Sequence, residues 1–294
     1  LQKDPTADPA KRSRGIPPTV LVLLSVGSVQ FGAAIAKGLF DAVGPGGTVL
    51  FRISLSALVL LLLWRPNLRG YAGREYALAA LFGVVLAGMN LSLYLAIDRI
   101  PLGVAVTLEF LGPLGVAVAG SRRLLDGLWV VFAATGIVLL APLDVLGGND
   151  LDPVGVAFAL LAGVLWASYI LLSARVGGVF PGGTGLVISL CVGTLLLLPI
   201  GISDGGYALL DPKLLLAGLG VALLSSAVPY SLELEALRKL PTRVFGVLMS
   251  LEPAVAALVG FLVLDELLGI RAVVAIGLVT VAAAGASLFA KGGS

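Results

Sequence analysis

Ten times along this chain, about 20 apolar residues run together before a charge, a proline or a glycine cluster interrupts them. The runs cover residues 17–37, 46–64, 74–97, 101–120, 125–143, 153–173, 183–202, 213–235, 242–264 and 270–290. Each is about as long as an α-helix needs to cross a hydrocarbon core of roughly 30 Å. The interruptions are compact, as at Arg65-Pro66-Asn67, Ser121-Arg122-Arg123 and Gly147-Gly148-Asn149-Asp150. Only 12% of the residues are charged and 59% are apolar, whereas a soluble domain carries about 25% charged residues. So few polar side chains cannot coat a water-soluble globule. The chain therefore reads as an all-α membrane protein of ten transmembrane helices. The first run is read as a span rather than a cleaved leader, because nine similar ones follow it.

Lysine and arginine set the orientation. Fourteen of them fall on one side of the predicted spans: four within residues 1–16, then Arg65, Arg69, Arg74, Arg122, Arg123, Arg175, Arg238, Lys239, Arg243 and Lys291. The other side holds Lys37, Arg99, Lys213 and Arg271, together with Asp144, Asp150, Asp152, Asp204 and Asp211. Both termini are expected in the cytoplasm of a bacterial cell, with the chain in its inner membrane. Residues 1–16 are polar and are expected to be a disordered cytoplasmic segment.

An internal repeat narrows the architecture further. Shifted by 140 residues, the stretch 96–120 meets 236–260 at eight identities without a gap. Ala96, Pro101, Val104, Leu108, Leu111, Pro113, Ala117 and Gly120 align with Ala236, Pro241, Val244, Leu248, Leu251, Pro253, Ala257 and Gly260. Apolar matches come cheaply; two prolines and a glycine in register do not. Each half, 17–143 and 153–290, holds five spans, with 144–152 as an external linker. An odd number forces the halves into opposite orientations. Such inverted five-helix repeats are a recurring plan of secondary transporters, in which one half rocks against the other.

Charged groups deep in lipid are costly and mark pathways or partners. Glu109 lies roughly 12 Å into the fourth run and Glu252 roughly 15 Å into the ninth, at 1.5 Å per residue. Pro113 removes the hydrogen bond to the Glu109 carbonyl, and Pro253 the one to Met249. Acids beside broken helices near the midplane are the makings of a binding site; the alternative is a hydrogen-bonded, purely structural glutamic acid. An acid so placed can carry a proton between the two aqueous sides. Other polar residues share helical faces: Asn90 with Tyr94, Trp166 with Tyr169, and Tyr230 with Glu233, while Gln30 lies inside the first run. These amides and phenols can line a cavity or tie helices together. Arg52 lies inside the second run and could pair with Glu109 or reach outward.

Enzyme chemistry finds little to work with. There is no histidine, which removes HExxH metal sites and Ser-His dyads. No phosphate-cradling loop is visible, so no cofactor, metal or directly coupled nucleotide is expected. Cys191 is the single cysteine, which excludes an intrachain disulfide and reads as core packing. The small residues Ala282 to Ser287 permit close helix contact, within a monomer or a homodimer. The net charge of +2 gives no reason to expect nucleic acid.

Certain strings are more specific than hydropathy. They are Ile100-Pro101-Leu102-Gly103-Val104-Ala105, Leu108-Glu109-Phe110, Pro229-Tyr230-Ser231-Leu232-Glu233, Leu240-Pro241-Thr242-Arg243 and Leu248-Met249-Ser250-Leu251-Glu252-Pro253. In them the chain resembles the EamA-type ten-helix group of the drug/metabolite transporter superfamily, and within it the bacterial threonine/homoserine exporters. Glu235 and the 144–152 segment depart from that pattern. The resemblance implies a central cavity lined by spans 1, 3, 4, 6, 8 and 9, with 5 and 10 at the periphery. It also implies proton-driven export of a small neutral amino acid. The expected site is Glu109 and Glu252 as cavity acids, lined by Gln30, Asn90, Tyr94, Trp166, Tyr169, Tyr230 and Glu233. Its expected partners are a small-molecule substrate, protons and membrane lipid. Another cargo on the same scaffold (an aromatic amino acid, a purine or a drug) and a non-transporting membrane scaffold are the alternatives.

Overall fold

The computed structural model describes residues 16–67, 69–100, 102–120, 124–140, 151–252, 255 and 270–290. Among these the secondary structure is helical, with no strand. The polar N-terminal segment, most of the 144–152 linker, Pro101, Pro253 and the second half of the 242–264 run lie outside the described residues.

The first two predicted runs belong to one continuous element, α1 (Pro18–Trp64), broken at Gly44. Gly44 has φ +71°, a left-handed conformation that costs glycine little. Pro45 follows it and opens the second arm. The break is tighter than the sequence predicts, because residues 38–43 stay helical instead of forming a loop. Gly32 on the first arm and Arg52 on the second both lie against Ser225. Twenty residues of straight helix would separate them by roughly 30 Å, so the chain reverses between them. Asp204 caps the second arm from outside, its Oδ2 accepting the Gly46 N–H at 2.9 Å. Asp204→Ala is expected to cost about 1 kcal/mol, read as a fall of a few degrees in the melting temperature of the purified protein.

The remaining helices are α2 (Gly73–Ile97), α3 (Leu102–Glu109), α4 (Leu111–Gly120), α5 (Leu124–Leu140), α6 (Pro153–Val179), α7 (Thr184–Gly205), α8 (Pro212–Ala222), α9 (Val228–Leu237), α10 (Thr242–Met249) and α11 (Ile270–Ala290). Helices α6 and α8 start the same way, with proline in the first turn behind an aspartate cap. Asp152 Oδ1 accepts the Val154 N–H at 2.8 Å and Asp211 Oδ1 the Lys213 N–H at 2.7 Å. Asp152 also pairs with Arg99 at 3.3 Å, across from the end of α2. The Val154 N–H, and after it Arg99, hold the Asp152 carboxyl below the usual carboxylate range.

Among the described residues, five stretches are long and apolar enough to cross a membrane: Asp41–Trp64, Gly73–Ile97, Pro153–Val179, Thr184–Leu210 and Pro212–Leu237. The bundle is apolar on the outside, where Leu63, Leu195 and Leu216 are each about 70% exposed. Serines, Asn90, Glu109 and Glu233 are buried within it. Water would not tolerate that arrangement; lipid requires it.

Helix pairing follows the small residues. The second arm of α1 packs on α7, α2 on both α6 and α7, α4 on α6 and α10, and α5 on α11. Where α4 crosses α6, a Cβ on Gly112 would collide with the Gly163 carbonyl, and one on Gly163 would come within 2.9 Å of the Glu109 carbonyl oxygen. These glycines are there because backbone meets backbone.

Candidate functional site

Among the described residues three of the predicted spans are interrupted, and the polar residues gather at the interruptions. In 101–120, α3 ends at Glu109 and α4 begins at Leu111, where Pro113 withholds its N–H from the Glu109 carbonyl. In 242–264, α10 ends at Met249 and a turn through Ser250 and Leu251 follows, placing Glu252 just beyond the break. The third interruption is in 213–235. There α8 widens into a π-helical turn, Leu223–Ala227, before α9 resumes. Such bulges are frequent at functional sites.

The π turn releases carbonyl groups from the helix, and the two arms of α1 take them up. Ser28 donates to the Leu224 carbonyl at 2.7 Å and Ser56 to that of Ala222 at 2.8 Å. Pro229 has no N–H to offer the Ser225 carbonyl four residues back; Arg52 Nη2 donates to it instead, at 2.6 Å. Arg52 Nε donates to Ser226 Oγ at 2.8 Å, and the guanidinium carbon lies 6.0 Å from the centre of the Tyr230 ring.

One turn further along, α9 presents Glu233, which is 4% exposed. Each carboxylate oxygen has a donor from another helix: Tyr169 Oη on α6 at 2.7 Å from Oε2, and Ser25 Oγ on α1 at 2.5 Å from Oε1. The Tyr169 ring stacks on Phe82 of α2 at 5.4 Å and leans on Tyr230 at 5.6 Å. Tyr230 Oη accepts from Asn90 Nδ2 at 2.9 Å, and the same amide nitrogen donates to the Leu86 carbonyl at 2.8 Å. Side chains from α1, α2, α6 and α9 thus close one polar cluster inside the bundle.

Glu109 is buried and Glu252 half-buried. They lie within electrostatic reach of each other and of Arg52, and Glu252 is also within reach of Glu233. Tyr94 is buried beside Arg52. Trp166 packs edge-on against Phe110, the residue between α3 and α4, at 4.9 Å. The structure therefore gathers Glu109, Glu252, Asn90, Tyr94, Tyr169, Tyr230 and Glu233, with Trp166 beside the α3 break. Gln30 is half-buried on the first arm of α1, and no hydrogen bond among the described residues joins it to the cluster.

Sequence reasoning left Arg52 undecided and passed over Ser25, Ser225, Ser226 and Phe82. Only one signal was available for Arg52, a lone cation in an apolar run. The serines and Phe82 carried none, since their partners lie up to 208 residues away. No group of three or more His, Cys, Asp or Glu residues capable of holding a metal occurs among the described residues.

A hollow of about 670 Å³ opens where α1, the α6–α7 turn and α9 end. Trp64, Arg65, Asn67, Thr184, Ser231, Glu235 and Arg238 contribute to its walls. Arg238 is held there by the Gly177, Phe180 and Gly182 carbonyls and by Glu235.

Comparison with known proteins places these features in context. Residues 153–288 match the model of the EamA-like transporter family. The threonine/homoserine exporter RhtA of Escherichia coli strain K12 is 43% identical over 274 residues, covering 92% of this chain and 91% of the relative. Its counterpart in Salmonella typhimurium strain LT2 is 42% identical over the same shares. A solved crystal structure superposes with a TM-score of 0.74 over 93% of this chain and 97% of its own, at 19% identity, a likeness of fold alone.

Proposed function

The chain belongs to the EamA-like transporter family, and on that premise we propose that it exports small neutral amino acids of the threonine and homoserine type across a bacterial inner membrane, in exchange for protons. The observation that carries this reading is the buried cluster of Arg52, Asn90, Tyr169, Tyr230 and Glu233 inside a bundle with an apolar exterior. Such a cluster is costly in lipid unless a polar solute or a proton uses it. Glu109 and Glu252, each at a helix break, are the proposed proton carriers.

The proposed architecture is ten spans in two inverted repeats, 17–143 and 153–290, with both termini cytoplasmic. Helix pairing supports it. Numbering spans by the ten runs, 2 pairs with 7, 4 with 9 and 5 with 10, while 3 packs on 6 and 1 on 8. Exchanging the halves returns the same set. Asn90 and Tyr230, which bond each other, stand 140 residues apart, the repeat interval itself, as residues on a pseudo-two-fold axis would.

Counterflow in proteoliposomes tests the reading. Labelled threonine should accumulate against trapped threonine or homoserine, and much less against aromatic amino acids, purines or cationic drugs. No exchange with any solute would leave a non-transporting scaffold. For the proton, Glu109→Gln is expected to flatten the response of threonine flux to an imposed pH gradient by at least roughly tenfold, about 1.4 kcal/mol of lost coupling. An unchanged response would remove Glu109 from that role.

A further inference from the structure

A guanidinium inside a membrane bundle is costly to bury and is ordinarily matched by a carboxylate. Arg52 is not. The ion pairs among the described residues are Arg99–Asp152, Arg238–Glu235 and Lys239–Glu235. Arg52 instead meets neutral groups: the Ser225 carbonyl, the Ser226 hydroxyl, the hydroxyl of Tyr94 beside it and the face of Tyr230. Nε and one N–H of Nη2 are taken up by the two serines. A guanidinium has five N–H donors in a planar fork, so three such contacts leave donors over. Phe51 and Ile53 on either side of it in the chain are buried, and Arg52 itself is half-buried. Three carboxyls, Glu109, Glu233 and Glu252, stand within electrostatic reach but outside ion-pair contact.

From this layout we infer that Arg52 is the receptor for the α-carboxylate of the transported amino acid, and that the surrounding acids face its ammonium group. The inference rests on the amino-acid reading above and assigns the specificity of that same site. A fork of parallel N–H groups matches a carboxylate bidentately. The three acids repel a bare anion, so a carboxylate enters only if it brings its own positive charge. A zwitterion does so. The Ser225 carbonyl freed by Pro229 then has a defined purpose: with Ser226 it anchors the fork from behind. Tyr230 stacks on the fork and is itself tied to Asn90, so α2, α8 and α9 together set the receptor's angle.

Competition against labelled-threonine counterflow tests this, using L-threonine and L-threoninamide, which lacks the carboxylate. Binding of both to the purified protein, followed by thermal shift, covers any variant whose flux is too low to read. Wild-type protein is expected to prefer threonine by on the order of 100-fold, the worth of a charge-assisted bidentate contact. Arg52→Gln should bring the ratio close to one, and Arg52→Lys, which keeps charge but loses the fork, should fall between. A merely structural arginine would lower the amount of active protein without changing the ratio. Wild-type preference surviving in both variants, or absent from wild type that does exchange threonine, would overturn the inference alone. Failure of wild type to exchange threonine at all would strike the functional reading and this inference with it.

Discussion

Glu233→Gln is expected to reduce threonine counterflow by on the order of 100-fold while the protein still folds, with a melting temperature within a few degrees of wild type. The glutamate is held by two hydroxyls, Tyr169 and Ser25, from two other helices. Both donate, so the position is built to receive hydrogen bonds on each oxygen. Glutamine keeps the shape and one acceptor, and one hydroxyl can turn to face its amide. What disappears is the negative charge that the ammonium group of a zwitterion would meet. Hydrogen bonds to charged groups are worth about 1.5–3 kcal/mol, hence the expected loss. Tyr169→Phe, which leaves the charge and removes one donor, should cost roughly tenfold. Measuring both variants at equal reconstituted protein checks the order; a glutamine variant that transports as well as wild type would reduce Glu233 to a helix tie.

Gly112→Val is expected to destabilise the fold by about 3 kcal/mol, the upper end for forced overpacking. The obstacle is backbone rather than a movable side chain: the new Cβ would strike the Gly163 carbonyl on α6. Relief requires α4 to move off α6. That also disturbs α10, where a Cβ on Gly246 would lie only 2.5 Å from the Pro113 carbonyl oxygen of α4. Because the crossing sits next to Glu109, partial rescue of folding should not rescue transport. Gly115→Ala is the control. It lies on the same helix with open space at its Cβ, and its effect should remain within about 0.5 kcal/mol. The comparison is read as recovered folded protein and melting temperature in one detergent.

The described residues are helical and apolar, as the hydropathy predicts, and five stretches among them are long enough to cross a membrane. That much was legible because lipid makes a local demand: each span must satisfy its own backbone and present apolar side chains, whatever its neighbours are. The break at Glu109 was legible too, since Pro113 marks it by chemistry confined to one turn. The π turn was not. It depends on Ser28, Arg52 and Ser56 arriving from α1 to take up carbonyls that a proline alone would leave bare. The extent of the break between the runs 17–37 and 46–64 was not legible for a similar reason: the reversal at Gly44 is capped by Asp204, 158 residues after Gly46.

The sequence by itself determined that this chain is a lipid-embedded helical bundle with acids beside its helix breaks, because hydrophobic length and proline placement act within a single segment. Tertiary structure alone decided which of those polar groups meet. It put Tyr169 and Ser25 on Glu233, joined Asn90 to Tyr230, and left Arg52 without a carboxylate in contact among the described residues. Partners separated by 64 to 208 residues are chosen by how helices cross, and crossings are set by where two backbones can approach, which no single stretch of sequence encodes.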